Sequence, residues 1–146
     1  MQPIDSNKVI QIGIVVKDIE KAVEMYSELF GIEKPNIRNA FPTIRYRGED
    51  IVTKSLLCSF PMGNVTLELI QPDDGPSSWR EFLDAKGEGV HHVGVVVEDL
   101  EATHAALSAK GITERQFGGA QWGSYCIVDS ADQLGVLFNI KCSKPV

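Results

Sequence analysis

Four polar side chains stand where strand-like alternation would otherwise put apolar ones: Gln11, Glu68, His92 and Asn139. They lie within VIQIGIVV, VTLELIQ, VHHVGVVV and VLFNIK, each flanked by apolar neighbours. A side-chain period of two places all four on the strand face away from the residues that would pack a helix. An imidazole, a carboxylate and two amide oxygens converging on one cleft make a donor set for a single divalent ion. Taken one at a time, a mid-strand His, Gln or Asn has a plainer reading as a hydrogen-bonded structural residue. An inward-facing Glu is harder to dismiss, because an unpaired buried carboxylate is costly.

What ties the four together is a repeat. Lys8 to Ile32 (KVIQIGIVVKDIEKAVEMYSELFGI) reappears as Glu88 to Ile112 (EGVHHVGVVVEDLEATHAALSAKGI). Gln11 matches His92, Gly13 matches Gly94, Asp18 matches Asp99 and Glu20 matches Glu101, all at an offset of 81 residues. Gly31 and Gly111 close the two copies one residue out of step. A strand-plus-helix unit written twice implies two related half-units sharing one core. Gln11 against His92 is where the copies differ, and so where function is to be sought.

Local signals define the elements that must position these residues. Asp18 is a natural N-cap, with Ile19, Ala22, Val23, Tyr26, Leu29 and Phe30 at helical spacing and Gly31 as the αL stop. Turn signals at Pro35, Pro42, RGED and PMGN divide the next stretch of chain into strands near Asn36–Arg47, Ile51–Phe60 and Val65–Gln71. QPDDGPSS is a connector, and WREFLDAKG a short helix ended by Gly87. In the second copy, alternation puts His92, Gly94 and Val96 on one face and turns His91 to the other. Asp99 caps a helix running through Lys110, and strands come next near Ile112–Phe117, Gly123–Val128 and Leu134–Lys141. Asn139 then answers Glu68. The fold class is α+β: residues 1–146 form one domain of two tandem β-α-β-β-β modules, about 8–72 and 90–141, joined by a connector of about 72–90.

A chain of 146 residues with 43% apolar and 23% charged residues has ordinary globular composition. The net charge of -6 and the lack of a basic stripe argue against nucleic acid. MQPIDSNKVI has no secretory pattern, and no apolar run approaches the roughly 20 residues a bilayer needs. Cys58, Cys126 and Cys142 form no C-x-x-C pair, as expected of reduced thiols in a cytoplasmic protein. FGGAQWGSY, Phe117 to Tyr125, reads as a glycine-rich pocket lip carrying Trp122; it is no phosphate loop, since it lacks the Lys-Ser/Thr that would complete one. His104 reads as a solvated helix residue and Trp79 as a packing one. Arg45, Arg47 and Lys54 near the first-half hairpin suit either an anionic substrate or the protective charge of an edge strand.

A repeated unit beginning QIGIVVKDIEKAVEMYSELFGI, with LELIQP closing the first half and GEGVHHVGVVVEDLEAT opening the second, resembles the vicinal oxygen chelate superfamily of glyoxalase I, bleomycin-resistance and dioxygenase proteins. Within it, the chain is most similar to methylmalonyl-CoA epimerase and glyoxalase I-like proteins. The resemblance implies two modules forming a cupped mixed sheet around one divalent ion (Zn, Ni, Co or Mn), and a homodimer. It implies an isomerase or lyase acting on a small oxo or acyl-thioester substrate through a metal-stabilised enolate. Its ligand positions fall on Gln11, Glu68, His92 and Asn139. The last is a departure, since the family carries Glu there, a residue that in the epimerases also lies beside the substrate carbon as a base. The family's partner base falls near Lys54, with Glu49 and Asp50 close by. An uncharged amide binds metal more weakly than a carboxylate and takes no proton from carbon. Glu68 is left as the catalytic carboxylate, and Asn139 as a weak fourth ligand or, with Trp122, a substrate contact. Extradiol iron chemistry wants two His and a carboxylate, and alternation offers one cleft-facing His. A metal-free binder of the bleomycin-resistance type is the alternative.

Overall fold

The computed structural model describes residues 2–120 and 123–144. In the first repeat unit, β1 (Val9–Val15) leads into α1 (Ile19–Phe30), whose Asp18 carboxylate accepts from the Lys21 N–H at 3.1 Å. Gly31 ends α1 in the left-handed region at φ 65°. Next come β2 (Arg38–Asn39), β3 (Thr43–Tyr46), β4 (Glu49–Val52), β5 (Leu56–Met62) and β6 (Val65–Gln71), then α2 (Ser78–Lys86), capped by Ser77. The second unit is β7 (Gly89–Val96), α3 (Leu100–Ser108) capped by Asp99, β8 (Glu114–Ala120), β9 (Gly123–Val128), α4 (Ala131–Leu134) and β10 (Leu137–Cys142).

All ten strands join one curled mixed sheet, in the order β2-β5-β6-β1-β7-β10-β9-β8-β3-β4. β1 and β7 pair antiparallel at its centre, flanked by β6 parallel to β1 and β10 parallel to β7. This is the pseudo-two-fold that the repeat demands. α1 covers one face through Ile19 and Val23 against Cys58, Phe60 and Leu69. α3 covers the same face of the second half, through Leu107 against Val95 and Ile140. On the opposite, concave face Trp79 of α2 packs with Val15, Ile70, Tyr125, Ile127 and Leu137.

Four expectations are corrected, the first being the strand expected over 51–60, which is broken at 53–55 between β4 and β5. The stretch expected as one strand over 36–47 is two: the chain leaves the sheet between Asn39 and Thr43, and β3 turns back into β4 at Arg47 (φ 49°) and Gly48 (φ 83°). Positive φ at both central residues suits a two-residue hairpin, whose twist matches that of its strands. The last strand starts at Leu137 rather than Leu134, because Ala131–Leu134 closes one helical turn that Gly135 stops. On α1 the buried stripe is Ile19, Val23 and Ser27, while Leu29 is 72% exposed and Phe30 56%. Two residues beyond Ser27, Leu29 is rotated roughly 200° round the axis and faces away from the sheet.

Candidate functional site

The four polar residues meet on the concave face. The Nε2 atom of His92 lies 2.9 Å from Oε1 of Gln11 and 3.8 Å from Oε1 of Glu68. The Gln11 amide donates to Oε2 of Glu68 at 3.2 Å, and the Asn139 amide donates to Oε1 of Gln11 at 3.3 Å. All four side chains are buried.

The register explains how they are brought together. Gln11 pairs with Gly94 and His92 with Gly13 across the central strands, so each glycine of the repeat lies beneath the site residue of the other half. A Cβ at Gly13 would fall 2.1 Å from Cε1 of His92, and one at Gly94 would fall 2.8 Å from Cβ of Gln11. Neither contact is physically tolerable without movement.

The expectation that His91 faces away from His92 is overturned. Gly13 pairs with His92 and Ile14 with Val90, so His91 is the extra residue of a β-bulge. A bulge breaks the alternation and turns two consecutive side chains the same way. The matching position in β1, Ile10, is also skipped between the Val9 and Gln11 pairings. The two Nδ1 atoms of His91 and His92 therefore lie 2.8 Å apart, and Nε2 of His91 lies 2.9 Å from Oγ of Ser78 on α2. His91 thus sits behind His92 as a hydrogen-bond partner rather than beside it as a second cleft-facing donor.

Burial keeps both imidazoles neutral. It lowers the pKa of His91 to about 3, assisted by the nearby Arg115 charge, and holds that of His92 well below the ordinary histidine value. With one ring proton each, their tautomers are linked. As His92 donates from Nε2 to Gln11, its Nδ1 accepts from His91, whose Nε2 accepts from Ser78. Burial raises the pKa of Glu68, only partly offset by the positive charges of Lys141 and Arg38. With His92 neutral, its approach to Glu68 is not an ion pair.

A cavity of about 30 Å³ opens beside these groups, lined by Glu68, His92, Asn139 and Lys141 and walled by Phe41, Trp79 and Tyr125 among others. That is roughly the volume share of a single water molecule. Two buried polar atoms on its lining residues, Oδ1 of Asn139 and Nε1 of Trp79, have no hydrogen-bond partner among the described residues. An unsatisfied buried oxygen is expensive unless something else supplies its partner. Ligand atoms around a small divalent ion lie about 3–3.8 Å apart at bond lengths of about 2.1 Å. Gln11 Oε1 and Glu68 Oε1 lie 2.9 and 3.8 Å from His92 Nε2, close to that spacing, and Asn139 adds a free oxygen, so the donor set fits such an ion.

Lys54 is exposed and does not line the cavity, and Glu49 and Asp50 are exposed on β4. Trp122 lies outside the described residues. Tyr125, the last residue of the expected glycine-rich lip, does wall the cavity, and Trp79, Lys141 and Phe41 join it although sequence reasoning did not place them there. Lys141 shares an alternation face with Asn139, which was a usable signal; nothing local marks Phe41.

Residues 10–125 match the family profile described as Glyoxalase/Bleomycin resistance protein/Dioxygenase superfamily. This chain belongs to that superfamily. It is 32% identical over 102 residues to the uncharacterized protein YqjC of Bacillus subtilis (strain 168), a match covering 70% of this chain and 66% of that protein, just under two thirds of its length. Its fold is similar to a methylmalonyl-CoA epimerase from Mycobacterium tuberculosis (TM-score 0.69, 20% identity, 99% of this chain and 93% of that one). It is similar also to a hypothetical protein from Bacillus halodurans C-125 (TM-score 0.72, 19% identity, 97% and 98%). A third similar structure is a Streptomyces coelicolor methylmalonyl-CoA epimerase in complex with 2-nitronate-propionyl-CoA (TM-score 0.68, 22% identity, 93% and 96%). Among the described residues, no helix is long and apolar enough to cross a membrane.

Proposed function

We propose that this chain is a metal-dependent isomerase or lyase that moves a proton beside the carbonyl of a small oxo or acyl-thioester substrate. The observation that carries the reading is the convergence of Gln11 and Glu68 oxygens on His92 Nε2, with the unpaired oxygen of Asn139, beside a one-ion cavity. Gln11, Glu68 and His92 would hold the ion and Asn139 would be a weak fourth ligand. A divalent ion bound there supplies Lewis acidity, polarising a substrate carbonyl and acidifying the adjacent C–H.

The protein's own groups set the rest. Freeing the His92 Nε2 lone pair requires both imidazoles to exchange tautomers, so that His92 donates from Nδ1 to His91 and His91 from Nε2 to Ser78. His91 thereby fixes the ring that the site needs, in the way outer partners commonly orient ligand histidines. Glu68 is the one carboxylate among the described residues that line the cavity, and so the group placed to move the substrate proton. Inverting a carbon centre calls for bases on both of its faces, whereas a shift between adjacent carbons, or an elimination, needs only one. Asn139 in place of a carboxylate therefore favours glyoxalase-like proton transfer over two-base epimerisation.

The test is calorimetry of chelator-stripped protein with zinc, nickel, cobalt and manganese, then deuterium wash-in from D2O into small 2-oxo compounds. One metal per cleft and metal-dependent wash-in that Glu68→Gln abolishes are expected; no binding by any of the four ions would end the reading.

One observation favours a second reading, a metal-free binder in the same cup. The unpaired indole N–H of Trp79 asks for an acceptor that a metal cannot provide. That reading expects ligand-dependent stabilisation that persists in EDTA.

A further inference from the structure

The other face of the sheet carries a separate cluster. His104 of α3, Glu114 of β8 and Cys126 of β9 each offer a donor atom, and the three atoms lie within 4.8 Å of one another. We propose that they form a second metal site, for zinc or another borderline thiophilic divalent ion, independent of the cleft. Cys126 packs on the α3 side with Val95, Leu107 and Ile140, whereas its neighbours Tyr125 and Ile127 belong to the cleft side. No residue is shared between the two sites.

Sulfur, imidazole and carboxylate together are a zinc-type donor set. Around a tetrahedral ion with bonds of about 2.0–2.3 Å, ligand atoms sit about 3.3–3.8 Å apart, so the trio closes with side-chain movements of about 1 Å. The donors are available. Neither the His104 ring nor the Cys126 thiol has a hydrogen-bond partner among the described residues.

Glu114 is oriented for the task. Arg45 grips both of its oxygens at 2.7 Å and stacks over Phe117 at 4.7 Å, leaving each oxygen a second lone pair. Hydrogen-bonded carboxylates of this kind are the usual supports of metal sites. The cluster opens onto a cavity of about 560 Å³ whose space leaves a fourth position open; Glu98, Asp99 and Glu101 on its wall outnumber the cations Arg45 and Lys144.

Only the thiolate ligates a metal, so binding expels the Cys126 proton, and affinity must fall as pH falls.

Cobalt titration of the wild-type protein tests this directly, because none of the described residues lining the cleft carries sulfur and only a thiolate gives a near-ultraviolet charge-transfer band to cobalt. One equivalent producing that band is expected, with release of one proton per ion in buffers of differing ionisation enthalpy. Cys126→Ser should abolish the band, and His104→Ala, on a half-exposed helix position that leaves the core intact, should weaken binding at least tenfold. Absence of the band in the wild type, its survival in Cys126→Ser, or unchanged affinity in His104→Ala would each overturn the assignment. A cleft that binds no metal leaves this experiment untouched.

Discussion

Gly13 and Gly94 carry no functional group, yet each sets the position of a ring or amide that does. Replacing Gly13 by Ala places a methyl inside the space of the His92 ring. The expected result is about 10–100-fold weaker metal binding by calorimetry, with about 1–3 kcal/mol of lost stability from overpacking. The histidines also set a pH dependence. Both have folded-state pKa values below the unfolded value of about 6.5, so their contribution is present above pH 6.5 and is lost as pH falls below it. Glu68 has the opposite sign. Its raised pKa favours the folded state as pH falls toward its unfolded value. As pH falls below the unfolded histidine value, two imidazoles that lose stability stand against one carboxylate that gains it, so net stability slopes downward. Urea unfolding of metal-free protein should show that slope, and His91→Phe should flatten it; a wild-type midpoint that does not move would mean the imidazoles are solvated. Gln11, Glu68, His92 and Asn139 were legible as a set because alternation and the repeat are both written locally. The role of His91 was not, since a bulge inserts one residue into a pattern read on the assumption that it never slips.

The connector helix α2 is the element on which access depends. Its Gly87 stop was legible, but a helix signal does not say which face of a sheet the helix will cover. Here it covers the concave one, with Trp79 stacked on Tyr125 at 6.4 Å and Ser78 bonded to His91. Together with Phe41 it reduces the cup to a space far below the roughly 300 Å³ or more of an ordinary ligand pocket. Any organic ligand reaching Asn139 must displace this wall. Trp79→Ala should therefore cost about 3–5 kcal/mol while speeding metal uptake by stripped protein in stopped-flow measurements. Uptake as slow as in the wild type would show that α2 is not the barrier. The same limit on local signals hid the fate of the β3–β4 hairpin. Turn residues reveal that two strands are joined, not which third strand they will find.

At the scale of the whole molecule, that hairpin crosses from the first repeat into the second and pairs with β8. Tyr46 and Arg47 bond Glu81 of α2, and Arg115 bonds Asp129 beside them, so hairpin, connector and second module are fastened at one corner. Fragments 1–87 and 88–146 produced separately should lack cooperative unfolding, and mixing them should restore it; a second fragment that melts cooperatively alone would refute the dependence. The crossing also has a meaning in time. Arg45 is synthesised 69 residues before Glu114, its partner in the finished sheet. At roughly 5–20 residues per second, the hairpin waits several seconds on the ribosome with nothing to pair against. Arg45, Arg47, Glu49 and Asp50 then have a task before any site exists: charges on an unmet edge discourage the wrong strand from taking the place reserved for the right one.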